Sequence, residues 1–210
     1  MMRKRTRLNL AYILICTWLS TLLAIAMPFK NTEIEKIEGN DVQIDSLMVM
    51  TPSVSPRDSI KDELIKEVEN YVYRNFPKTH KAIPTAIVEN GLEKDVDIMF
   101  IMAQTQRETS FGTAGIGREN SKRSLFGVIS RRYSNYHDAV ADYISILKKS
   151  YLTNGRTEQH LMQRYTTTKG GRYAEDQNYE SKLRQTYAYI NSKTNIKNLQ
   201  VKYKNLKEED

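Results

Sequence analysis

Apolar residues recur along this chain at helical rather than strand spacing. From Ser59 onward, Ile60, Leu64, Val68, Tyr71 and Val72 fall on one side of a 3.6-residue repeat, and Pro77 stops the run. Ser59 followed by Asp62 has the form of a capping box, so the spacing predicts a first helix opening there. A short second helix is predicted over 83–89, with Pro84 in its first turn and Gly91 beyond its end. A third opens near Lys94 or Asp95, turns Val96, Met99, Met102 and Ala103 inward, and stops at Thr109, Ser110, Phe111 and Gly112. Past a turn over 131–135, Val140, Tyr143, Ile144, Leu147 and Tyr151 mark a fourth helix that starts at Ser134 or Asn135. Residues 157–165 read as a fifth, broken by Gly170 and Gly171, and Tyr179, Leu183, Tyr187 and Ile190 stripe the last. After Asn191 the Lys- and Glu-rich tail reads as a frayed extension. No alternating apolar run stands out, so the expected fold is mainly α.

The first 57 residues follow a different pattern. Arg3, Lys4, Arg5 and Arg7 precede residues 8–27, which are uncharged and almost wholly apolar. Basic then apolar is the order of an export signal, with the N-terminus kept in the cytoplasm. Ala24-Ile25-Ala26 suits cleavage before Met27, while the run is also close to the roughly 20 residues that span a bilayer. Residues 1–27 are therefore either a cleaved signal peptide or a retained anchor helix. The only cysteine, Cys16, lies inside this segment, which leaves the exported part without an internal disulfide. Ile15 stands where a small residue precedes a lipidated cysteine, so Cys16 reads as lipid-facing packing. Residues 28–57 read as a linker, rich in Pro, Ser and Thr, although Ile34, Ile37, Val42, Ile44, Leu47 and Val49 leave room for a short element. Residues 58–192 then form one domain with a proper core, and 193–210 a charged tail.

Charge narrows the partner. The chain carries +7, and removing the basic leader and the acidic linker leaves +5 on residues 58–210. A basic exported domain suits an anionic cell-wall polymer or lipid headgroups. Nucleic acid fits poorly, because the leader directs the chain out of the cytoplasm and no helix gathers Arg and Lys on one face beside stacking aromatics. His80, His137 and His160 have no partner at metal-ligand spacing, so the reading is of no metal, no cofactor and no Cys-His nucleophile.

The chemistry concentrates in residues 100–128. Glu108 falls on the last turn of the third helix, where the partial negative charge of the terminal carbonyls favours the neutral acid. Burial against Phe111 or Phe126 would push the same way, and a raised pKa suits a general acid. Position alone favours a solvated carboxylate beside Arg107, one of 25 acidic residues. The loop that follows holds Gly112, Gly115 and Gly117 together with Arg118, Lys122 and Arg123, which allows close backbone approach to a ligand and a basic rim. In Leu125-Phe126-Gly127, an aromatic beside a glycine can floor a sugar site.

The run A-Q-T-Q-R-E-T-S-F-G, followed by S-L-F-G-V, resembles the core of the bacterial and phage endo-β-N-acetylglucosaminidases of glycoside hydrolase family 73. G-G-R-Y-A-E-D-Q-N-Y resembles that family's second signature, a Tyr-Ala-Thr-Asp stretch, and Y-S-N-Y-H-D-A-V-A-D-Y-I resembles its helix after the cleft motif. The resemblance spans roughly residues 59–191. It implies a lysozyme-like helical domain with a substrate groove, acting on peptidoglycan glycan strands. Glu108 becomes the catalytic acid for the bond between N-acetylglucosamine and N-acetylmuramic acid, and Tyr173 a partner for the acetamido group or the developing positive charge. Phe111, Phe126 and Gly127 become substrate contacts.

Two departures from the family pattern matter. Only Ile129 and Ser130 separate L-F-G-V from the basic turn, which leaves no room for the hairpin lobe that often carries a second acid. Arg123-Ser124 stands where the family commonly has Asn. Glu119 in the glycine loop and Asp176 near Tyr173 remain as substitutes, Asp176 also reading as a helix cap. Attack by the substrate's own acetamido oxygen ranks above either. A lytic transglycosylase is the nearest enzymatic alternative, though L-F-G-V replaces its usual Gly-Leu-Met-Gln. A membrane-anchored wall-binding or virion protein of the same fold is the non-enzymatic one.

Overall fold

A computed structural model of the chain describes residues 55–118, 123–127 and 131–208. The expected N-terminal signal or anchor helix and most of the linker lie outside those residues. Within them the protein is helical: α1 (Pro56–Asn75), α2 (Ala82–Glu93), α3 (Ile98–Thr109), α4 (Tyr136–Ser150), α5 (Glu158–Gln163), α6 (Tyr179–Lys193) and α7 (Ile196–Glu208). The only strand-like pairing among the described residues is an isolated antiparallel bridge between Thr166 and Arg172. No helix among them is long and apolar enough to cross a membrane.

The fold is organised around α3. Every residue from Ile98 to Thr105 is buried, so this helix is enclosed on all sides instead of presenting one inward face. α2, α6 and α7 pack against it, while α1 pairs with α7 and α2 with α4. Gly91, expected beyond the end of α2, lies inside it at the crossing with α3. A side chain there would put its Cβ 2.8 Å from Ile98 Cγ1, so glycine is what lets the two helices approach.

Both ends of α3 are fixed by side chains. At the start, Asp97 Oδ1 accepts from the Met99 and Phe100 amides at 2.8 and 3.3 Å, and its Oδ2 accepts from the Tyr187 hydroxyl at 2.6 Å. The Gln200 amide donates to the Val96 carbonyl and accepts from the Ile98 amide, which ties α7 to the same end. At the finish, Ser110 and Phe111 both adopt left-handed backbone, at φ 48° and 54°, and turn the chain sharply away from the helix axis. Thr109 Oγ1 then donates to the Leu125 carbonyl at 2.9 Å, binding the helix end to the Leu125-Phe126-Gly127 segment.

Three sequence expectations are corrected. α1 begins a turn earlier than Ser59: Ser55 is its cap, accepting from the Asp58 amide, with Pro56 in the first turn. α3 begins at Ile98, after an Asp97 cap, and not near Lys94. Residues 196–208 are helix and not a frayed extension: α6 runs on to Lys193, and α7 buries Ile196, Leu199 and Gln200. α4 does open on Asn135, which accepts from the Asp138 amide.

Candidate active site

Glu108 is the next-to-last residue of α3, half-buried where that enclosed helix reaches the surface. The strict packing of Ile98 to Thr105 fixes the helix, and left-handed backbone at Ser110 and Phe111 ends it just past the carboxyl. Its Oε1 accepts from the Tyr179 hydroxyl at 2.5 Å, and the Tyr173 ring packs against Tyr179, close enough to act on the same carboxyl. Its Oε2 faces Gly127: a Cβ added there would sit 3.0 Å away. Gly127 itself has φ 70°, a conformation that costs glycine little and other residues more. The motifs at Glu108, at Leu125-Phe126-Gly127 and at Tyr173 to Tyr179 thus meet on one carboxyl group.

The electrostatics follow from this packing. Burial raises the Glu108 pKa above the ordinary glutamate range, while hydrogen bonds from Tyr179 and Tyr173 and the charge of Arg107 pull it partly back. Burial, followed by neighbouring tyrosine and Glu108 charge, pushes the Tyr179 hydroxyl far above its normal value, and burial does the same to Tyr173. Both phenols are therefore neutral donors throughout the working pH range. The site offers a carboxyl group that holds its proton past the usual pH and two fixed O–H groups to receive the charge once the proton has left.

Beneath the carboxyl lies an aromatic bed. Tyr173 packs against Tyr165 and Tyr179 with ring centroids 4.3 and 5.4 Å away, and against Tyr151 at 6.0 Å. Tyr143 and Tyr165 join their hydroxyls at 3.2 Å. Glu180 fastens this bed to α6: its carboxylate accepts from the Tyr165 amide at 3.1 Å and pairs with Arg172 at 2.9 Å. That pairing leaves Glu180 a structural group.

The remaining residues singled out from the sequence separate into those that meet Glu108 and those that do not. Tyr173 and Gly127 do. Phe111 does not: it is fully buried between Tyr71 and Phe76 and has no ring surface to offer a ligand. Phe126 is 5 % exposed and stacked on Tyr143 at 3.7 Å, so it supports Gly127 from below and is not a sugar floor. Asp176 is exposed, paired with Lys182 at 2.8 Å and accepting from the Asn178 amide, and these partners lower its pKa. It stands two residues before Asn178, the N-cap of α6, and does not itself cap the helix. Glu119 lies outside the described residues.

Two groups in the site were missed from the sequence. Tyr179 reads there as one of several apolar positions striping α6, and Gln104 stands inside the A-Q-T-Q-R-E run with no role given to it. A signal was available for both. Gln104 and Glu108 are four apart, hence on one helix face, and Tyr179 closes the same motif that holds Tyr173. His160 is exposed, as a surface histidine, and it also closes a capping box with Thr157 at the start of α5. Among the described residues no group of three His, Cys, Asp or Glu side chains is placed to hold a metal ion.

Residues 84–192 match the family model described as Glucosaminidase, mannosyl-glycoprotein endo-beta-N-acetylglucosaminidase. This range contains Glu108, Gly127, Tyr173 and Tyr179 and leaves α1 and α7 outside. A search of curated proteins found no match.

Proposed function

The chain belongs to the glucosaminidase family, and we propose that it hydrolyses peptidoglycan at the β-1,4 bond between N-acetylglucosamine and N-acetylmuramic acid, with Glu108 as general acid. The observation that carries this reading is the state of Glu108: a half-buried carboxyl with a raised pKa, its Oε1 held at 2.5 Å by Tyr179 and its Oε2 beside Gly127. In the reaction Glu108 gives its proton to the bridging oxygen as the bond to the glucosamine C1 breaks. Tyr179 and Tyr173 stabilise the carboxylate left behind, and Tyr173, at the edge of the aromatic bed, faces the developing oxocarbenium charge.

The substrate's own 2-acetamido oxygen is the nucleophile in this proposal. It attacks C1 as the leaving oxygen takes the proton, forming an oxazolinium ring that water then opens. Support comes from the described residues around Glu108, among which the groups acting on the carboxyl are Tyr179, Tyr173 and Arg107 and none is an acid. Asp176 is committed to Lys182, and Glu180 to Arg172. The basic-then-apolar leader supports action outside the cytoplasmic membrane, with the domain either tethered through residues 1–27 or released. Mass spectrometry of the fragments released from purified peptidoglycan tests the bond: reducing N-acetylglucosamine ends support the proposal, and anhydro-muramic ends overturn it in favour of a transglycosylase.

A further inference from the structure

The Tyr179 hydroxyl is asked to do more than one proton allows. It lies 2.5 Å from Glu108 Oε1 and 3.0 Å from the side-chain oxygen of Gln104, and both positions call for a donor. A phenol has a single hydrogen. Gln104 is wholly buried, and its Nε2 has no acceptor in reach. One side of the pair therefore has an acceptor without a proton, and the other a donor without a partner.

Turning the Gln104 amide over removes both faults, since its oxygen and nitrogen occupy equivalent places on the end of the side chain. The NH2 group then points at a lone pair of the Tyr179 oxygen, and the hydroxyl proton is free to point at Glu108. What is left is a buried carbonyl oxygen short of a donor, a milder deficit than an orphaned N–H. Gln104 and Glu108 share a face of α3, and Tyr179 enters from α6 between them.

We propose that Gln104 is a positioning residue whose amide donates to the Tyr179 oxygen, committing that hydroxyl's only proton to Glu108 Oε1 and leaving Oε2, on the Gly127 side, to carry and deliver the acid proton. The inference rests on the reading of Glu108 as the general acid and adds the oxygen from which the proton leaves. A chain of donors running one way polarises each bond along it, so Gln104 strengthens the hydrogen bond that steadies the carboxylate after transfer.

The test uses nuclear magnetic resonance on the full-length protein, so its outcome does not depend on turnover. In the wild type, the Gln104 side-chain amide protons show cross-relaxation to the Tyr179 ring hydrogens beside the hydroxyl; no such signal overturns the proposal. The Glu108 carboxyl carbon is then titrated in the wild type, Gln104→Met, Tyr179→Phe and the double variant. Gln104→Met shifts the titration to higher pH, Tyr179→Phe shifts it further, and adding Gln104→Met to Tyr179→Phe moves it no more. An equal shift from Gln104→Met in both backgrounds, or none in either, overturns the proposal. Failure of the general-acid reading is separate: it would appear as an active Glu108→Gln enzyme, whatever the titration shows.

Discussion

Replacing Gly127 with alanine isolates the geometry on the far side of the acid. The new methyl lands 3.0 Å from Glu108 Oε2 and 3.9 Å from its Cδ, tighter than an ordinary carbon–oxygen contact, while Oε1 is anchored by Tyr179 and cannot retreat freely. The backbone at φ 70° adds a left-handed penalty of about 1–2 kcal/mol for any residue with a Cβ. That penalty alone corresponds to a fall in Tm of about 2–8 °C for a domain of this size. Gly155 supplies the control. It has φ 74° and nothing within 4 Å of the place a Cβ would take, so Gly155→Ala carries the backbone cost without touching the site. Both variants are expected to lose stability in thermal denaturation, Gly127→Ala by at least as much as Gly155→Ala because of its added contact with Glu108. Only Gly127→Ala is expected to lose activity, by more than about tenfold in kcat on solubilised peptidoglycan, because its methyl covers the oxygen facing the glycosidic bond. If Gly127→Ala digests peptidoglycan within twofold of Gly155→Ala, the proton does not leave from that side and the reasoning fails.

Glu108 makes a signed prediction about stability. Its folded pKa is raised above the unfolded one, so its contribution is complete below the unfolded pKa and is lost as pH rises through the folded value. Glu108→Gln should therefore raise Tm near neutral pH, and the gain should vanish in acid where the wild-type carboxyl is protonated; an equal gain at both pH values contradicts this. Activity should fall on the alkaline side at a pH above the ordinary glutamate range, read from the pH profile of kcat. Asp97→Ala removes the cap from the acid-bearing helix along with its bond from Tyr187, and should cost about 1–2 kcal/mol in urea denaturation. Arg172→Met leaves the buried Glu180 carboxylate without its cation and should cost about 1–3 kcal/mol by the same assay.

The helices were legible where one apolar face repeats, as in α1 and α4, and less so where burial is complete. The first half of α3, Ile98 to Ala103, is apolar throughout, so its periodicity carried little about where the helix begins, and the cap at Asp97 had to be seen in contact. Gly91 reads in sequence as a stop, but its place is set by Ile98 of another helix, a distance no local pattern records. α7 was obscured by its lysines, because Ile196 and Leu199 are few beside them and become core only through α1 and α3. In the site, motif and position single out Glu108 and Gly127, and the structure sets the two side by side. Phe111 and Phe126 did not: an aromatic beside a glycine looks the same whether its ring lines a groove or lies beneath one. Tyr179 was hidden by the opposite ambiguity, an α6 stripe position whose ring packs while its hydroxyl serves the acid.

The most direct measurement of the central claim is the rate of peptidoglycan digestion by full-length Glu108→Gln, with folding verified by its thermal transition. An amide of the same shape keeps the hydrogen bonding surface but has no proton to give, so the expected loss in kcat is about 10²–10⁴-fold. Digestion by a folded Glu108→Gln protein within tenfold of the wild type would contradict the account.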